Sequence, residues 1–426
     1  MSWYQGHAGE QRPGASNPNL FARPENAVTL SSDGVLDLGL DNQPTAPCRG
    51  WTRSHNNPVR TVGVLRCRPH NNRQRLTETQ RNMDLGQKYR WTRREVLAST
   101  AGAAAALSLS PHRACAATTG AMRTERAARV LTALDDERRQ AASFPFESST
   151  RQRWNFMGPW AKPGIPLEKL TSGQKLAVLD LLSVALSPDG MRKAENIMVL
   201  QDVLRDLGDG PRDRNRDRFS IAFFGTPGAG RLWGWRFEGH HLSLSFTLLG
   251  DRVVSVTPSC FSSNPNVVES GRHRGLVTLD GEVTLARSLY ADLGAKTRTR
   301  ALISERAFGN ILSTAGREAR IETRQGVPLS ELSQSQRDLF MRLVETYAVD
   351  HLAMDLAAIQ RERIRNGDLM AAHFAWAGSD RAGEMMYYRL HGETFLIEFA
   401  SLPNQPLHLH TVRHDLEWNL GAHVAA

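Results

Sequence analysis

Cysteine is scarce in this sequence: Cys48, Cys67, Cys115 and Cys260 are the four among 426 residues. Such a low count excludes a disulfide-rich scaffold. Long apolar runs are missing too. None reaches the roughly 18 residues that a membrane-spanning helix needs, which excludes a polytopic membrane protein. The balance of 40% hydrophobic and 23% charged residues excludes collagen, coiled coil and complete disorder. The length suffices for about two or three ordinary domains.

The most specific local pattern is an export signal. The pair Arg93-Arg94 is followed by an apolar, small-residue stretch over 98–109 and then by Ala114-Cys115-Ala116. These parts occur in the order of a basic region, a hydrophobic region and a cleavage site. The paired arginines resemble a twin-arginine signal. We therefore predict export to the periplasm or cell exterior by the twin-arginine machinery, cleavage after Ala116, and no stable membrane anchor. The alternative is an ordinary helix after a basic linker.

The region before this signal has the composition of a disordered extension. Residues 1–82 are rich in Asn, Pro and Arg and show no periodicity. A signal that begins near residue 90 lies far from the first methionine, whereas Met83 would place it correctly. The sequence thus predicts three parts: an extension or mis-assigned start over 1–82, a signal peptide over 83–116, and a mature domain over 117–426.

The net charge of +9 is concentrated in the first two parts. Residues 1–116 contain 15 of the 53 basic and 8 of the 44 acidic residues, which leaves 38 and 36 and a net charge of +2 for 117–426. The mature chain therefore has no electrostatic reason to bind nucleic acid. It also keeps Cys260 as its single cysteine, so no internal disulfide is expected and a nucleophilic role for a lone thiol is weakly supported.

The mature chain contains two similar successions of patterns. Thr171-x-x-Gln174 and Ser333-x-x-Gln336 are both capping boxes that open a helix. A second helix is predicted after each, near 194–207 and Met354–Asn366. Strands follow in both halves, at 219–224, 232–239 and 241–246 and at 370–376, 385–392 and 394–399, with glycine at the turn between the last two.

These matches predict an α+β fold with two pseudo-repeated halves, at about 170–257 and 332–412. Each half is expected to be an antiparallel sheet flanked by helices. Two further helices are predicted between the halves, over 279–293 and 296–312. Gly225–Gly230 lacks the Lys-Ser/Thr ending of a phosphate loop and is predicted to be a hairpin loop. The charge-balanced stretch 211–218 is predicted to be a solvated loop.

Four histidines are the candidate metal ligands. His408 and His410 are two residues apart on a predicted strand, so their imidazoles project from one face. His240 and His241 stand at the head of another strand. Imidazoles so spaced can chelate zinc, iron or copper, among which the sequence does not distinguish. The alternative is that the histidines cap strands and bond buried carbonyls.

Two carboxylates and four larger side chains complete the candidate site. Glu398 and Asp415 are predicted as catalytic groups or oxygen ligands, and the alternative for Glu398 is a structural ion pair, for instance with Arg389. Trp235 and Tyr388 are predicted either to lie in the core or to line an apolar pocket. Arg236 and Arg389, next to them, would then bind the ligand.

Several of these pieces together resemble a bacterial family known as DUF3500, a domain of unknown function. They are Trp233–Leu244 with its His240-His241 pair, Pro258–Pro265, Tyr388–Gly392, and Phe395–Glu398 running on to His408-Leu-His410. The resemblance covers about residues 125–421 and implies an exported protein, but no activity. Where the family pattern has Arg and Asp, this chain has His414, in the stretch Val412-Arg413-His414-Asp415, and Asn419. If those two residues were catalytic in the family, this member would be altered.

The leading functional hypothesis is therefore an exported, metal-dependent enzyme, with hydrolysis as the simplest chemistry because metal-activated water needs no further cofactor. The rival hypothesis is a non-catalytic binding protein whose cleft between the halves holds a small molecule through the aromatic and arginine residues. Convergence of the four histidines would favour the first.

Overall fold

The computed structural model describes residues 111–425 except 159–160, 229 and 318–320. Within this part, one large sheet carries helices on one face and long loops on the other. The chain is thus a mixed α and β structure. The helices are α1 Pro111–Ala133, α2 Asp136–Ala142, α3 Ser149–Gln152, α4 Ser172–Ser183, α5 Pro188–Asp206, α6 Asp280–Asp292, α7 Ala295–Ala301, α8 Gln334–Ala348, α9 Met354–Asn366 and α10 Ala422–Ala425.

Thirteen strands of the described residues form the sheet. They are β1 Ser143–Phe144, β2 Ile165–Pro166, β3 Ser220–Phe224, β4 Leu232–Gly239, β5 Leu242–Leu249, β6 Arg252–Ser255, β7 Ser259–Phe261, β8 Leu302–Ser304, β9 Val327–Pro328, β10 His373–Gly378, β11 Met386–His391, β12 Phe395–Leu402 and β13 Gln405–Asp415. Their order is β1-β3-β4-β5-β7-β13-β12-β11-β10-β8. In addition, β2 pairs with β3, β6 with β5, and β9 with β10.

The prediction of one sheet per half is wrong, because β7 pairs with both β5 and β13 and so joins all strands into one sheet. The sheet is also not wholly antiparallel. Its terminal strands β1 and β8 run parallel to their neighbours β3 and β10. The consequence for function is that β13 lies in the same sheet as the β4–β5 hairpin, with only β7 between them.

Side-chain alternation gives the sheet two different faces. On β5, Leu242, Leu244 and Phe246 belong to the core under the helices, whereas Ser243 and Ser245 face the other way. We call this other face, which the segments 145–158 and 303–317 cover, the loop face. It contains a small apolar cluster together with most of the buried polar side chains of β4, β5, β11, β12 and β13. Chemistry is therefore to be sought on the loop face.

Most predicted elements are confirmed to within a few residues. Both capping boxes form, at the N-termini of α4 and α8. The predicted helix 296–312 is wrong beyond Ala301, because Leu302–Ser304 pairs with β10 as a strand. This pairing is a tertiary contact that local periodicity does not encode.

Among the described helices, none combines the length and the apolar composition that a membrane crossing requires. Most of the predicted export signal lies outside the residues that the structure describes. Arg93, Arg94 and the stretch 98–109 are outside the described residues, and Ala116 falls within α1.

Candidate metal site

The β4–β5 hairpin presents His240 and His241 as its two-residue loop, because Gly239 at the end of β4 pairs directly with Leu242 at the start of β5. Glycine was predicted to form this turn, and that prediction is wrong. The residue with the left-handed backbone is His241, whose φ is 71°. A left-handed backbone costs a residue other than glycine about 1–2 kcal/mol. Two backbone bonds hold His241 in this conformation: its N–H donates to the Phe156 carbonyl at 2.7 Å, and its carbonyl accepts from Ser262 N at 2.8 Å.

Gly239 is required for a different reason. A Cβ added there would lie 2.3 Å from the ring of Phe219, closer than any side chain can approach. The ring of Phe219, just before β3, therefore occupies the space that a side chain at the end of β4 would need.

β13 brings the other two histidines to this hairpin. His408 and His410 both lie on the loop face, and the intervening Leu409 exchanges two 2.8 Å backbone hydrogen bonds with Ser263. Ser263 comes two residues after the end of β7, the strand between β5 and β13. The two histidine pairs therefore meet because β7 joins the strands of the two halves into one sheet.

The four rings form one cluster. The His241 and His408 Nε2 atoms are 2.9 Å apart, and one ring nitrogen from each of His240, His241 and His408 lies within 4.8 Å of the other two. The His410 ring centroid is 5.3 Å from that of His241 and 5.0 Å from that of His408. His240 stacks on His241 at 3.7 Å. Three of the four candidate ligands, His240, His241 and His408, are thus close enough together to hold a metal ion.

Amide oxygens orient two of these histidines. The His408 Nδ1–H donates to Gln405 Oε1 at 2.7 Å, and the His410 Nδ1–H donates to Asn310 Oδ1 at 2.8 Å. Because an amide oxygen only accepts, each Nδ1 carries the hydrogen and each Nε2 is an acceptor, and the His408 Nε2 atom then accepts from the His241 Nε2–H at 2.9 Å. This is the arrangement in which outer oxygen atoms prepare imidazoles as metal ligands.

His240 has different neighbours. Its Nδ1 is 2.8 Å from an Arg214 amino nitrogen and 3.0 Å from Gln201 Oε1. Arg214 belongs to the stretch 211–218 that the sequence analysis predicted to be a solvated loop. Most of that stretch is indeed accessible, but Arg214 turns inward and is 6% exposed. Alternation of charge along the stretch gives no sign of which arginine is buried.

All four imidazoles are neutral near pH 7. Burial lowers the pKa of His240 and His241 well below 6.5, with Arg214 and His240 respectively as the next largest cause. Burial likewise lowers the pKa of His408 to about 4 and that of His410 to about 3. Neutral imidazole is the form that binds metal, so no proton needs to leave these four rings before a metal binds.

A buried lysine and a buried glutamate lie near the cluster. Lys162 is 9% exposed, its ammonium donates to the Met157 carbonyl at 2.8 Å, and burial lowers its pKa to about 8. Glu238 Oε2 accepts from Asn155 N, Ser243 Oγ and Arg236 Nε at 2.7, 2.8 and 3.1 Å. Sequence reasoning missed Lys162, which lies within the Trp/Pro-rich segment 154–166, a stretch without periodicity.

Glu398 is fully occupied in holding a loop. Its carboxylate accepts from the backbone N–H groups of Leu312 and Ser313 at 2.9 and 2.8 Å, from Ser313 Oγ, and from the Tyr387 hydroxyl at 2.7 Å. Arg389 is its cross-strand neighbour, but within the described part of the chain the two form no ion pair. The same loop carries Asn310, the partner of His410. Glu398 therefore acts on the cluster through the loop, and the geometry favours a structural role over that of a metal ligand.

Asp415 does not join the cluster. Its carboxylate pairs with Arg363 at 3.2 Å and accepts from the backbone N–H groups of Glu417 and Trp418. Since side chains alternate along β13, Asp415 points away from the loop face on which His408 and His410 lie. These contacts give it a role in closing the turn after β13.

The aromatic residues Trp235 and Tyr388 are in the core under the helices. They are 1% and 0% exposed, and they stack on Phe246 and Phe399 at 4.2 and 4.8 Å. This corresponds to the core alternative given above. These two rings therefore do not line a cleft, and the binding hypothesis cannot rely on them for contacts with a ligand.

The two arginines predicted beside those rings lie on the loop face. Arg236 pairs with Glu238 and donates to the carbonyls of Arg151 and Thr150. Arg389 donates to Gln325 Oε1 at 2.9 Å. Both are 2% exposed, so they tie loops to the sheet instead of facing an open cleft.

His414 and Asn419, which the resemblance singled out, contact each other. Asn419 Nδ2 donates to His414 Nδ1 at 2.8 Å, which leaves the His414 Nε2–H to donate to the Ser313 carbonyl at 2.9 Å. The two side chains and the Ser313 carbonyl thus form one continuous chain of hydrogen bonds.

A cavity of about 570 Å³ opens on the loop face between Arg153, Pro258 and Ala315. A smaller one of about 260 Å³ shares Arg153 and Ala315 with it and extends to Phe156. The Phe156 ring in turn contacts His410, with centroids 5.0 Å apart. Phe156 therefore stands between this cavity and the histidine cluster.

The model of a protein family described as protein of unknown function (DUF3500) matches residues 116–419. The chain belongs to the DUF3500 family. Comparisons with curated proteins and with solved structures return no match. The matched range includes all four histidines of the cluster, so the site lies within the DUF3500 domain.

Proposed function

We propose that this DUF3500 protein binds a transition metal at the histidine cluster and uses it in catalysis. The observation that carries the proposal is the 2.9 Å separation of His241 Nε2 and His408 Nε2. Two nitrogens about 2.1 Å from one ion in a tetrahedral site are separated by about 3.4 Å, so a small outward shift of these two imidazoles would make room for an ion between them. We propose the two as neighbouring ligands of one ion, with His240 or His410 as the third.

Hydrolysis is the reaction class that we propose. A metal held by three imidazoles, with a further position open, supplies an activated water at neutral pH. The protein's own contribution is to keep the imidazoles neutral by burial and to orient His408 and His410 through Gln405 and Asn310. The identity of the metal, among zinc, iron and copper, is left to measurement.

Metal analysis together with thermal unfolding tests this proposal. The purified protein is expected to contain close to one transition-metal ion per chain, and a chelator should lower its Tm because a ligand that binds the native state stabilises it. The melt should recover when the metal is added back. Absence of metal, together with identical melts with and without chelator, would contradict the metal site.

The second candidate is a non-catalytic binding protein. What favours it is the cavity of about 570 Å³ that opens on the loop face. Its lining differs from the aromatic cleft predicted from the sequence, because Trp235 and Tyr388 are in the core. A protein that binds a small molecule but contains no metal would support this candidate.

We also propose that the fold arose from a duplicated unit. The supporting observations are matched details: Gln174 and Gln336, the last residues of the two capping boxes, each also donate to a backbone carbonyl of a preceding helix at 2.8 Å. Gly164 and Gly326, with φ of 99° and 95°, precede β2 and β9. Superposition of 170–257 on 332–412 is the direct test.

Export by the twin-arginine machinery is proposed for the same protein, and it suits a site that is filled before export. The exchange of Arg93 and Arg94 together for lysine should retain precursor in the cytoplasm, since the arginine pair is not replaceable by generic positive charge. Fractionation of cells checks this, and the exported form should begin near Ala117. Undiminished export of the double variant would count against a twin-arginine signal.

A further inference from the structure

The hairpins β4–β5 and β11–β12 each carry an arginine on the loop face, but the two arginines differ in their partners. In the first hairpin, Arg236 Nε lies 3.1 Å from the Oε2 atom of Glu238, two residues further along β4. In the second, the residue two positions after Arg389 is His391, whose imidazole cannot act as a counter-ion. The second arginine therefore lacks the carboxylate that its own strand supplies to the first.

Two buried nitrogens at the end of β11 have no hydrogen-bond partner. They are Arg389 Nε and His391 Nδ1, and the two residues are 2% and 5% exposed. Residues two apart on a strand project from the same face and are separated by about 6–7 Å along it, so these side chains are neighbours. Arg389 does donate to Gln325 Oε1 at 2.9 Å, but from Nη2 and not from Nε. A buried donor without an acceptor is destabilising, so this place on the loop face calls for an acceptor.

The charged groups around His391 are basic. Burial is the main reason that its pKa is lowered to about 4, and the next causes, in order, are Arg389, Arg324 and His373. His373 lies directly opposite His391 on β10, and Arg324 donates to the Ala371 carbonyl just before that strand at 3.3 Å. An anion bound here would therefore meet basic groups from β10, from β11 and from the segment before β9.

Glu398 does not supply the missing acceptor. It is the cross-strand neighbour of Arg389, but its carboxylate accepts from the backbone N–H groups of Leu312 and Ser313 and from the Tyr387 hydroxyl. Within the described part of the chain, none of its oxygens lies within 4.0 Å of an Arg389 nitrogen. Its charge lowers the cost of burying Arg389 but leaves Nε without an acceptor.

We infer that a small oxyanion, either a carboxylate or an inorganic ion, binds at the end of β11 and accepts hydrogen bonds from Arg389 Nε and His391 Nδ1. It takes the place on β11 that the Glu238 carboxylate has on β4. An oxyanion suits this place because its oxygens match the donors of a guanidinium. The site is separate from the histidine cluster, since β12 lies between β11 and β13, and it does not depend on the proposed metal.

The Nε–H signal of Arg389 in ¹H–¹⁵N spectra reports on this site directly, and an Arg389→Lys variant assigns it. The wild type is first treated with an uncharged chelator, so that no oxyanion binds to a metal. Titration with sodium acetate or sodium phosphate at constant ionic strength should then shift the signal until it saturates, with a Kd in the millimolar range. The anion with the lower Kd tells whether the ligand is a carboxylate or an inorganic oxyanion. Absence of a saturable shift with both anions would overturn the inference.

His391→Glu provides the second test, because it supplies the counter-ion from the chain itself. Without added oxyanion its Tm should exceed that of the wild type. At about tenfold excess of the better anion over its Kd, the wild-type Tm should rise by about 2–4 °C more than that of His391→Glu.

The matched control is His273→Glu, which adds the same charge at a partly exposed position outside the site. It should keep the full wild-type response, including any general stabilisation by the salt. An equal rise of Tm in wild type and His391→Glu would overturn the inference. If His391→Glu does not fold, the Arg389 signal of the wild type decides.

Discussion

Replacement of His408 by alanine should abolish tight metal binding. His408 Nε2 lies 2.9 Å from His241 Nε2, so its removal leaves a shell with two of three imidazoles. Loss of an outer partner of a ligand typically costs 10–100-fold in metal affinity, and loss of the ligand itself should cost more, at least about 1000-fold here. Competition with a chromophoric chelator measures this for zinc.

The matched control is His273→Ala. His273 is a partly exposed histidine of the loop between β7 and α6, outside the cluster, and its change should leave zinc affinity unaltered. Gln405→Ala is the graded variant, because it removes only the oxygen that orients His408. We expect a loss of about 10-fold for Gln405→Ala. Similar zinc affinity in His408→Ala and His273→Ala would refute the site.

Replacement of Glu398 by alanine should destabilise the fold more than any other single change in the loop face, by about 3–5 kcal/mol. The residue is 0% exposed, and its removal leaves two backbone N–H groups and two hydroxyls without their acceptor. An unsatisfied buried donor costs about 1–3 kcal/mol, and the loop can relax to recover part of this. Urea unfolding of wild type and variant measures the difference.

Tyr387→Phe is the control for this prediction. It removes one of the four donors while Glu398 keeps the other three, so the expected loss is about 1 kcal/mol. Glu398→Ala should also weaken zinc binding, since the freed loop carries Asn310, which orients His410. A loss of stability below about 1 kcal/mol in Glu398→Ala would show that the carboxylate does not anchor the loop.

Much of the secondary structure follows from the sequence, because its signals are local. The two capping boxes form as predicted, since a hydroxyl and an amide three residues apart satisfy the first turn of a helix wherever that helix lies. The predicted helix Met354–Asn366 has the observed bounds. The i, i+2 spacing of His408 and His410 placed both on one face, because strand alternation is also local. The segment 302–304 shows the limit, since only its pairing with β10 makes it a strand.

The composition of the site was decided by tertiary structure. Nothing local indicates that β7 joins β5 to β13, and this pairing alone brings His241 to His408 across 167 residues of chain. Arg214 is one of four arginines in a charged stretch, and it is the fold that buries it against His240. The sequence by itself thus determined which residues could bind a metal. The joining of the strands through β7 and the burial of particular side chains determined which of these residues come together. Contacts between distant segments depend on how the whole chain packs.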